Sequence, residues 1–241
     1  MTLSALLERL HLVNDEDKNI APAELTQLYS DTLQNALNMG IEGFIPTSDP
    51  WEKIAWEEFY GTIHPGQKVL ELGSGLGSVG ITFAYKGYPT VMIEKDPVLA
   101  SASAESAVKY GRMLQAPAKV IEGSYYCSEY IADRKQGRYD HRVLMIEGEI
   151  ASETRTRRKG KKWYLHVAAS EDAYKKHGIS FSDFDVIYAY LWPEQTPSVV
   201  DMFKRYAKKD AKLLMFGPQT HDIAHQLGLS KTSREGNVFV K

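Results

Sequence analysis

The stretch that decides the fold is Val69-Leu70-Glu71-Leu72-Gly73-Ser74-Gly75-Leu76-Gly77-Ser78-Val79-Gly80. Its first four residues form a short strand pattern that is mostly apolar, and a helical pattern follows from Ser78. Glycines at such a junction allow a tight turn and let a ligand approach the backbone closely. The stretch therefore predicts a ligand-binding loop between a strand and a helix.

Strand and helix patterns alternate along the rest of the chain. Strands are predicted at 68–72, 90–94, 119–122, 184–190 and 212–216, and helices at 78–86, 96–114 and 196–207. This alternation predicts an α/β fold with a doubly wound, mostly parallel sheet that carries helices on both faces. The segments 229–234 and 237–241 flank Glu235-Gly236, which predicts a C-terminal antiparallel hairpin.

Two regions do not follow this alternation of strands and helices. Helical patterns fill much of residues 1–65, which are interpreted as an N-terminal helical extension before a core at 66–241. The core carries an insertion at about 132–180, where 141–150 and 162–168 are interpreted as the two strands of an inserted β-hairpin. Six arginines or lysines between 155 and 162 give this hairpin a basic tip.

Composition excludes several classes of protein. The net charge of −2 over 241 residues provides no global field for nucleic acid or an anionic membrane. Cys127 is the single cysteine, so no disulfide can form within the chain, and no Cys/His cluster has zinc spacing. A cytoplasmic protein with no metal is therefore expected. No membrane partner is expected either, because no apolar run approaches the ~18 residues of a membrane span.

Two ligands compete for the glycine-rich stretch. Gly75-x-Gly77-x-x-Gly80 with Glu94 about ~20 residues further on fits a dinucleotide fingerprint. Glu71, however, places a carboxylate beside the first glycine, where it would repel a pyrophosphate. The same carboxylate favours S-adenosylmethionine, which carries an ammonium and a sulfonium. A NAD-dependent dehydrogenase is therefore the less favoured alternative.

These residues resemble the class I superfamily of S-adenosylmethionine-dependent methyltransferases. The first motif of that superfamily, acidic-x-Gly-x-Gly-x-Gly, is present at 71–77, and its acidic second motif is Glu94. The resemblance implies that the three glycines shape the methionine side of the pocket and that Glu94 holds the ribose. Where the superfamily commonly has Gly-Asp, this chain has Gly123-Ser124, so Ser124 would replace that contact to adenine. The residues predicted to bind the cofactor are Glu71, Gly73, Ser74, Gly75, Gly77, Glu94, Lys95, Ser124 and Thr47.

The catalytic edge is predicted at Tyr190-Leu191-Trp192-Pro193, after the fourth core strand. Tyr190 and Trp192 are the catalytic candidates, because aromatic faces stabilise a cationic amine near the methyl donor. Together with Pro46-Thr47, this motif gives a second, weaker resemblance to a group of seven-strand protein-lysine methyltransferases. That resemblance implies that Thr47 helps close the cofactor pocket and that Tyr190 borders a lysine channel.

The methyl acceptor stays open at this level. A protein or small-molecule amine is favoured, and protein lysine is one candidate. The alternatives are an RNA methyltransferase that grips its substrate with the basic hairpin, a small-molecule N- or O-methyltransferase, and a non-catalytic scaffold.

Overall fold

The computed structural model describes residues 63–64, 66–138, 140–158, 172–217, 219–230 and 238–241, with six further residues near the N-terminus. Those six are helical: Gln27, Leu28, Ser30, Asp31, Gln34 and Asn38. Thr47 and the segment 162–168, which was predicted as a strand, lie outside the described residues.

A six-stranded sheet forms the centre of the molecule. Its strands are β1 (Val69–Leu72), β2 (Thr90–Glu94), β3 (Ala118–Glu122), β4 (Val186–Tyr190), β5 (Lys212–Phe216) and β6 (Val238–Val240). They are ordered β3-β2-β1-β4-β5-β6, and all neighbours are parallel except β5 and β6. The predicted doubly wound, mostly parallel sheet is therefore confirmed.

Seven α-helices connect these strands in the described part of the chain. They are α1 (Ser78–Tyr85), α2 (Pro97–Lys109), α3 (Ser128–Lys135), α4 (His141–Arg158), α5 (Ala173–His177), α6 (Thr196–Tyr206) and α7 (Thr220–Gln226). The start of α2 follows from its sequence, because the Asp96 side chain accepts hydrogen bonds from the N–H groups of Val98 and Leu99. No helix in these ranges is long and apolar enough to cross a membrane.

The predicted inserted hairpin is wrong in its first arm. Residues 141–150 belong to α4, an 18-residue helix, and are not a strand. The buried and half-buried positions Val143, Ile146, Glu147 and Ile150 recur at helical spacing and face the core. The segment was interpreted as a strand, but the spacing of its buried positions is that of a helix. The basic segment consequently begins as the last turn of α4.

The predicted C-terminal hairpin is described in part. Leu229 and Ser230, at the start of the predicted first arm, are not in a strand, and 231–237 lie outside the described residues. The second arm is β6, and it pairs antiparallel with β5 through Leu214↔Val238 and Leu213↔Phe239. The edge of β5 offers backbone hydrogen bonds that β6 satisfies, so the C-terminal antiparallel strand is confirmed, and the predicted pairing of 237–241 with 229–234 falls mostly outside the described residues.

The N-terminal region packs directly on the core. Leu28 is fully buried in a cluster with Ile81 of α1, Met92 of β2 and Tyr110. The Tyr110 hydroxyl donates to the Asp31 carboxylate over 2.6 Å. The domain boundary predicted at residue 65 therefore stays a prediction. Leu28, from the N-terminal side of that boundary, is buried in the same cluster as residues of the sheet domain.

Candidate ligand site at the carboxyl edge of the sheet

All five parallel strands end at the same edge of the sheet. The chain leaves β1 on one side toward β2 and returns on the other side as β4, so the strand order reverses between β1 and β4. A crevice forms outside the carboxyl ends of the strands at such a switch point, and this is where open α/β sheets bind ligands. The predicted cofactor residues in the described part of the chain lie at the ends of β1 and β2 or follow β1, β2 and β3, and the predicted catalytic residues end or follow β4.

The glycine-rich loop has a backbone that favours glycine. Gly73, Gly75 and Gly77 have φ angles of 74°, 56° and 81°, in the left-handed region. At Gly77 the packing adds a second requirement, because a Cβ there would overlap Oγ of Ser103 and lie 3.2 Å from its Cβ. The loop therefore turns tightly into α1 with α2 pressed beneath it.

The backbone amides of this loop are already used within the protein. The N–H groups of Gly73 and Ser74 donate to the carbonyl oxygen of Ile93 over 2.9 and 3.1 Å, and that of Gly77 donates to Ser74 over 2.8 Å. The Gly75 N–H donates to Oε2 of Glu94 over 2.8 Å. These four amides consequently do not form an open cradle for a phosphate group.

Glu94 joins the ends of β1 and β2. Its Oε1 accepts from the N–H groups of Lys95 and Asp96 over 2.7 and 2.9 Å, and its Oε2 accepts from Gly75. A carboxylate has about four acceptor positions, and three are occupied by these amides. One position on Oε2 remains for a ligand hydroxyl, which fits the predicted ribose contact.

Glu71 is more deeply buried than its predicted role suggested. The side chain is 3% exposed, and a Cβ added to Gly80 would overlap both its carboxylate and the Met92 side chain. Burial raises the pKa of Glu71 to about 8, against a small opposing effect of the Gly80 N–H. The carboxyl group is therefore neutral at pH 7, and the charge repulsion of a pyrophosphate expected from Glu71 is weaker than predicted.

Three other predicted cofactor residues that the structure describes lie along the same edge. Ser74 is buried and its Oγ has no hydrogen-bond partner. Ser124 follows β3, and its Oγ accepts from the Tyr126 N–H over 3.3 Å. Lys95 follows β2 with an exposed side chain. An unsatisfied buried hydroxyl calls for an explanation, and a ligand at the loop provides one for Ser74.

The predicted catalytic pair marks the end of β4. Tyr190 is the last residue of the strand, pairs with Phe216 of β5 and is 36% exposed. Trp192 is half-buried, and its backbone N–H donates to the Gln195 side chain over 3.0 Å. Both residues lie beside the crevice, because β4 is the neighbour of β1.

Tyr125 is a residue of this edge that sequence reasoning missed. It follows Ser124, and its Cε1 lies 4.0 Å from where a Cβ on Gly73 would be. The ring thus reaches from the end of β3 across β2 to the loop after β1. Its position in the sequence, shortly after a strand that ends at the ligand edge, could have indicated that it lies there.

Cys127 and the metal-binding residue types are not used at this edge. Cys127 is fully buried, and burial raises the pKa of its thiol to about 12, so it is not a nucleophile at neutral pH. Among the described residues, no three His, Cys, Asp or Glu side chains are placed to hold a metal ion.

Comparisons with known proteins give structural neighbours only. No protein-family model matches the chain, and no curated protein matches it. An RNA methyltransferase from Salinibacter ruber, in complex with S-adenosyl-L-homocysteine, aligns with 14% identity over 81% of this chain and 91% of that chain, at a TM-score of 0.47. A methyltransferase from Pyrococcus furiosus aligns with 11% identity over 83% and 86% of the two chains, also at 0.47. An O-methyltransferase from Bacillus cereus, again with S-adenosyl-homocysteine, aligns with 11% identity over 88% and 71%, at 0.47.

At these identities and TM-scores, the neighbours carry no argument about activity. The class follows from the chain's own topology and loop: this is a Rossmann-like, doubly wound α/β protein with a ligand crevice at the β1/β4 switch point.

Proposed function

We propose that this protein is an S-adenosylmethionine-dependent methyltransferase that acts on an amine, with protein lysine as one candidate acceptor. The observation that carries the proposal is the Glu94 carboxylate bound to the Gly75 N–H inside the glycine loop. A loop that holds an anion of its own suits a ligand with a ribose and positive charges, and it disfavours a phosphate at the same amides.

The residues present fit the cofactor. The free acceptor position of Glu94 suits a ribose hydroxyl, and the unpartnered Ser74 hydroxyl suits a polar group beside the loop. A cation beside Glu71 would lower its pKa and favour its ionised form. Ser124 and Lys95 border the ribose and adenine side, and Thr47 is proposed by resemblance alone. S-adenosylmethionine supplies a methyl group on a sulfonium, which is a good leaving group.

A NAD-dependent dehydrogenase fits the same loop less well. A dinucleotide pyrophosphate binds through free backbone N–H groups of the glycine-rich loop and of the start of the helix that follows it. Here the amides of Gly73, Ser74 and Gly75 have acceptors within the protein, and one of these acceptors is a carboxylate. The last strand, β6, also runs antiparallel to its neighbour.

The acceptor side of the site supports an amine. Methyl transfer requires alignment of donor and acceptor and exclusion of water more than it requires a strong base. Tyr190 projects from the end of β4 with an exposed fraction of 36%, and Trp192 follows it. Their rings would stabilise the positive charge that develops on the nitrogen of a neutral amine as its bond to the methyl group forms and the sulfonium bond breaks, and the Tyr190 hydroxyl would orient the lone pair of that amine. Tyr190 and Trp192 are the proposed catalytic residues.

Calorimetric titration tests the cofactor. S-adenosyl-homocysteine is expected to bind the wild-type protein, and Gly75→Arg is expected to weaken binding at least ~100-fold, because it adds a long cation in the loop at the Glu94 contact. Glu94→Gln is the milder second variant, since its amide oxygen still accepts from Gly75. Circular dichroism checks that both variants fold. NADH binding without S-adenosyl-homocysteine binding would refute the proposal.

Tyr190→Phe tests the acceptor. We expect it to reduce kcat/KM for methylation of a lysine-rich peptide by about tenfold, because one orienting hydrogen bond to the amine is lost. The affinity for S-adenosyl-homocysteine should not change. The matched control is Tyr85→Phe at the far end of α1, which should leave both quantities unchanged. Methyl transfer from labelled donor to total RNA, with none to peptide or small amines, would exclude the amine acceptor.

A further inference from the structure

Tyr125 is the first member of a chain of polar side chains that leads away from the ligand edge. Its ring packs on the ring of Tyr126, and the two ring centroids are 4.7 Å apart. The Tyr126 phenol in turn lies beside the Ser198 hydroxyl on α6. The pocket is thereby linked to a helix on the face of the sheet.

The chain ends in a buried ion pair between two helices. Ser198 donates to Oε1 of Glu147 on α4. Arg134 on α3 donates to both carboxylate oxygens of Glu147, over 3.0 and 2.8 Å, and to the Ser198 hydroxyl over 3.1 Å. The bidentate arrangement fixes the direction as well as the distance of each bond.

Burial makes this arrangement rigid. Glu147 is 7% exposed and Ser198 is 6% exposed, so a broken bond here would leave a buried polar group without a partner. Tyr130, 1% exposed, stacks on Tyr126 at 5.6 Å and lies under the Arg134 guanidinium at 5.6 Å. A network satisfied in this way holds its members in one conformation.

We propose that Tyr125 contacts the ligand between Gly73 and Glu94, and that α4 sets the position of its ring through Glu147, Ser198 and Tyr126. The ligand contact rests on the proposed function. The chain of contacts from Glu147 through Ser198 and Tyr126 to Tyr125, called the relay below, does not rest on it. Tyr126, Ser198 and Glu147 are positioning residues, since they reach the pocket only through Tyr125. Because α4 also leads into the basic segment, a displacement of α4 on binding a partner would alter cofactor affinity.

The experiment uses two readouts on the full chain. Fluorine NMR of 3-fluorotyrosine incorporated at position 125 reports the surroundings of the ring without any ligand. Calorimetry with S-adenosyl-homocysteine reports the pocket. Tyr126→Phe should shift the fluorine resonance and weaken binding about fivefold, as expected when the polar contact between its phenol and the Ser198 hydroxyl is lost. Glu147→Gln should act in the same direction, and Tyr125→Ala should weaken binding further.

Tyr206→Phe is the matched control. Tyr206 also packs on Tyr130, and its phenol bonds Asp133 outside the relay. It should leave both readouts unchanged. Equal effects of Tyr126→Phe and Tyr206→Phe would overturn the relay, and unaltered affinity in Tyr125→Ala would overturn the ligand contact. Failure of the wild-type protein to bind S-adenosyl-homocysteine would defeat the proposed function and the contact together, while the fluorine comparison would still decide the relay.

Discussion

The Glu71→Gln variant is expected to be more stable than the wild-type protein above pH 7 and about equally stable below pH 4.5. Burial raises the pKa of Glu71 from 4.5 to about 8. A raised pKa means that the folded state keeps a proton that the unfolded chain releases, so wild-type stability falls as pH rises from 4.5 to 8. The glutamine has no proton to lose. The difference should approach roughly 4 kcal/mol at pH 8.

Urea unfolding of both proteins between pH 4.5 and 9 measures this difference. Other titrating groups are common to both proteins, so their contributions cancel. Glu122→Gln is the matched control, because Glu122 is exposed at the end of β3, and it should change stability by less than about 0.5 kcal/mol at each pH. A stability difference for Glu71→Gln that does not vary with pH would show that the carboxyl group is ionised in the folded protein.

The Gly217→Ala variant is expected to lose roughly 3–5 kcal/mol of stability, from backbone strain and overpacking combined. Gly217 follows β5 with a φ of 127°, which side-chain-bearing residues rarely adopt. A Cβ there would overlap the carbonyl oxygen of Leu191 and lie 3.0 Å from its carbon. Leu191 cannot move aside, because its N–H donates to the Phe216 carbonyl over 2.7 Å.

Gly178→Ala separates the two causes. Gly178 also has a positive φ, of 60°, but no atom lies within 4 Å of its Cβ position. It should lose only about 1–2 kcal/mol, the cost of the left-handed conformation. Urea unfolding curves at one pH give both values. Equal losses in the two variants would mean that the loops after β4 and β5 separate easily and that their contact contributes little.

The parts of the site that sequence predicts are those written in short contiguous motifs. The loop at 71–77 and Glu94 at the end of β2 were expected because each is defined by its neighbours in the chain. The pairing of Gly75 with Glu94 was not expected, since it depends on how the two strand ends approach one another. The burial of Glu71 depends in the same way on Gly80 and Met92.

The errors have a similar cause. Residues 141–150 were interpreted as a strand, but their buried and half-buried positions recur at helical spacing, and Glu147 among them bonds Arg134 of α3 and Ser198 of α6. The pairing of the strand at 238–240 with β5 was not predicted, because β5 lies more than twenty residues earlier in the chain. Tyr125 was missed because its role follows from the reach of a ring across two strand ends.

The order of the strands also governs how the chain folds while it is being made. β1 lies at the centre of the finished sheet, yet its neighbour β4 is synthesised much later, with Lys68 and Asp185 separated by 117 positions. At about 5–20 residues per second, this interval lasts roughly 6–23 s. Throughout that time β1 is an unprotected edge strand, which can pair with other chains. The yield of folded protein should therefore depend on translation speed and temperature, and a slow ribosome lengthens the period of greatest aggregation risk.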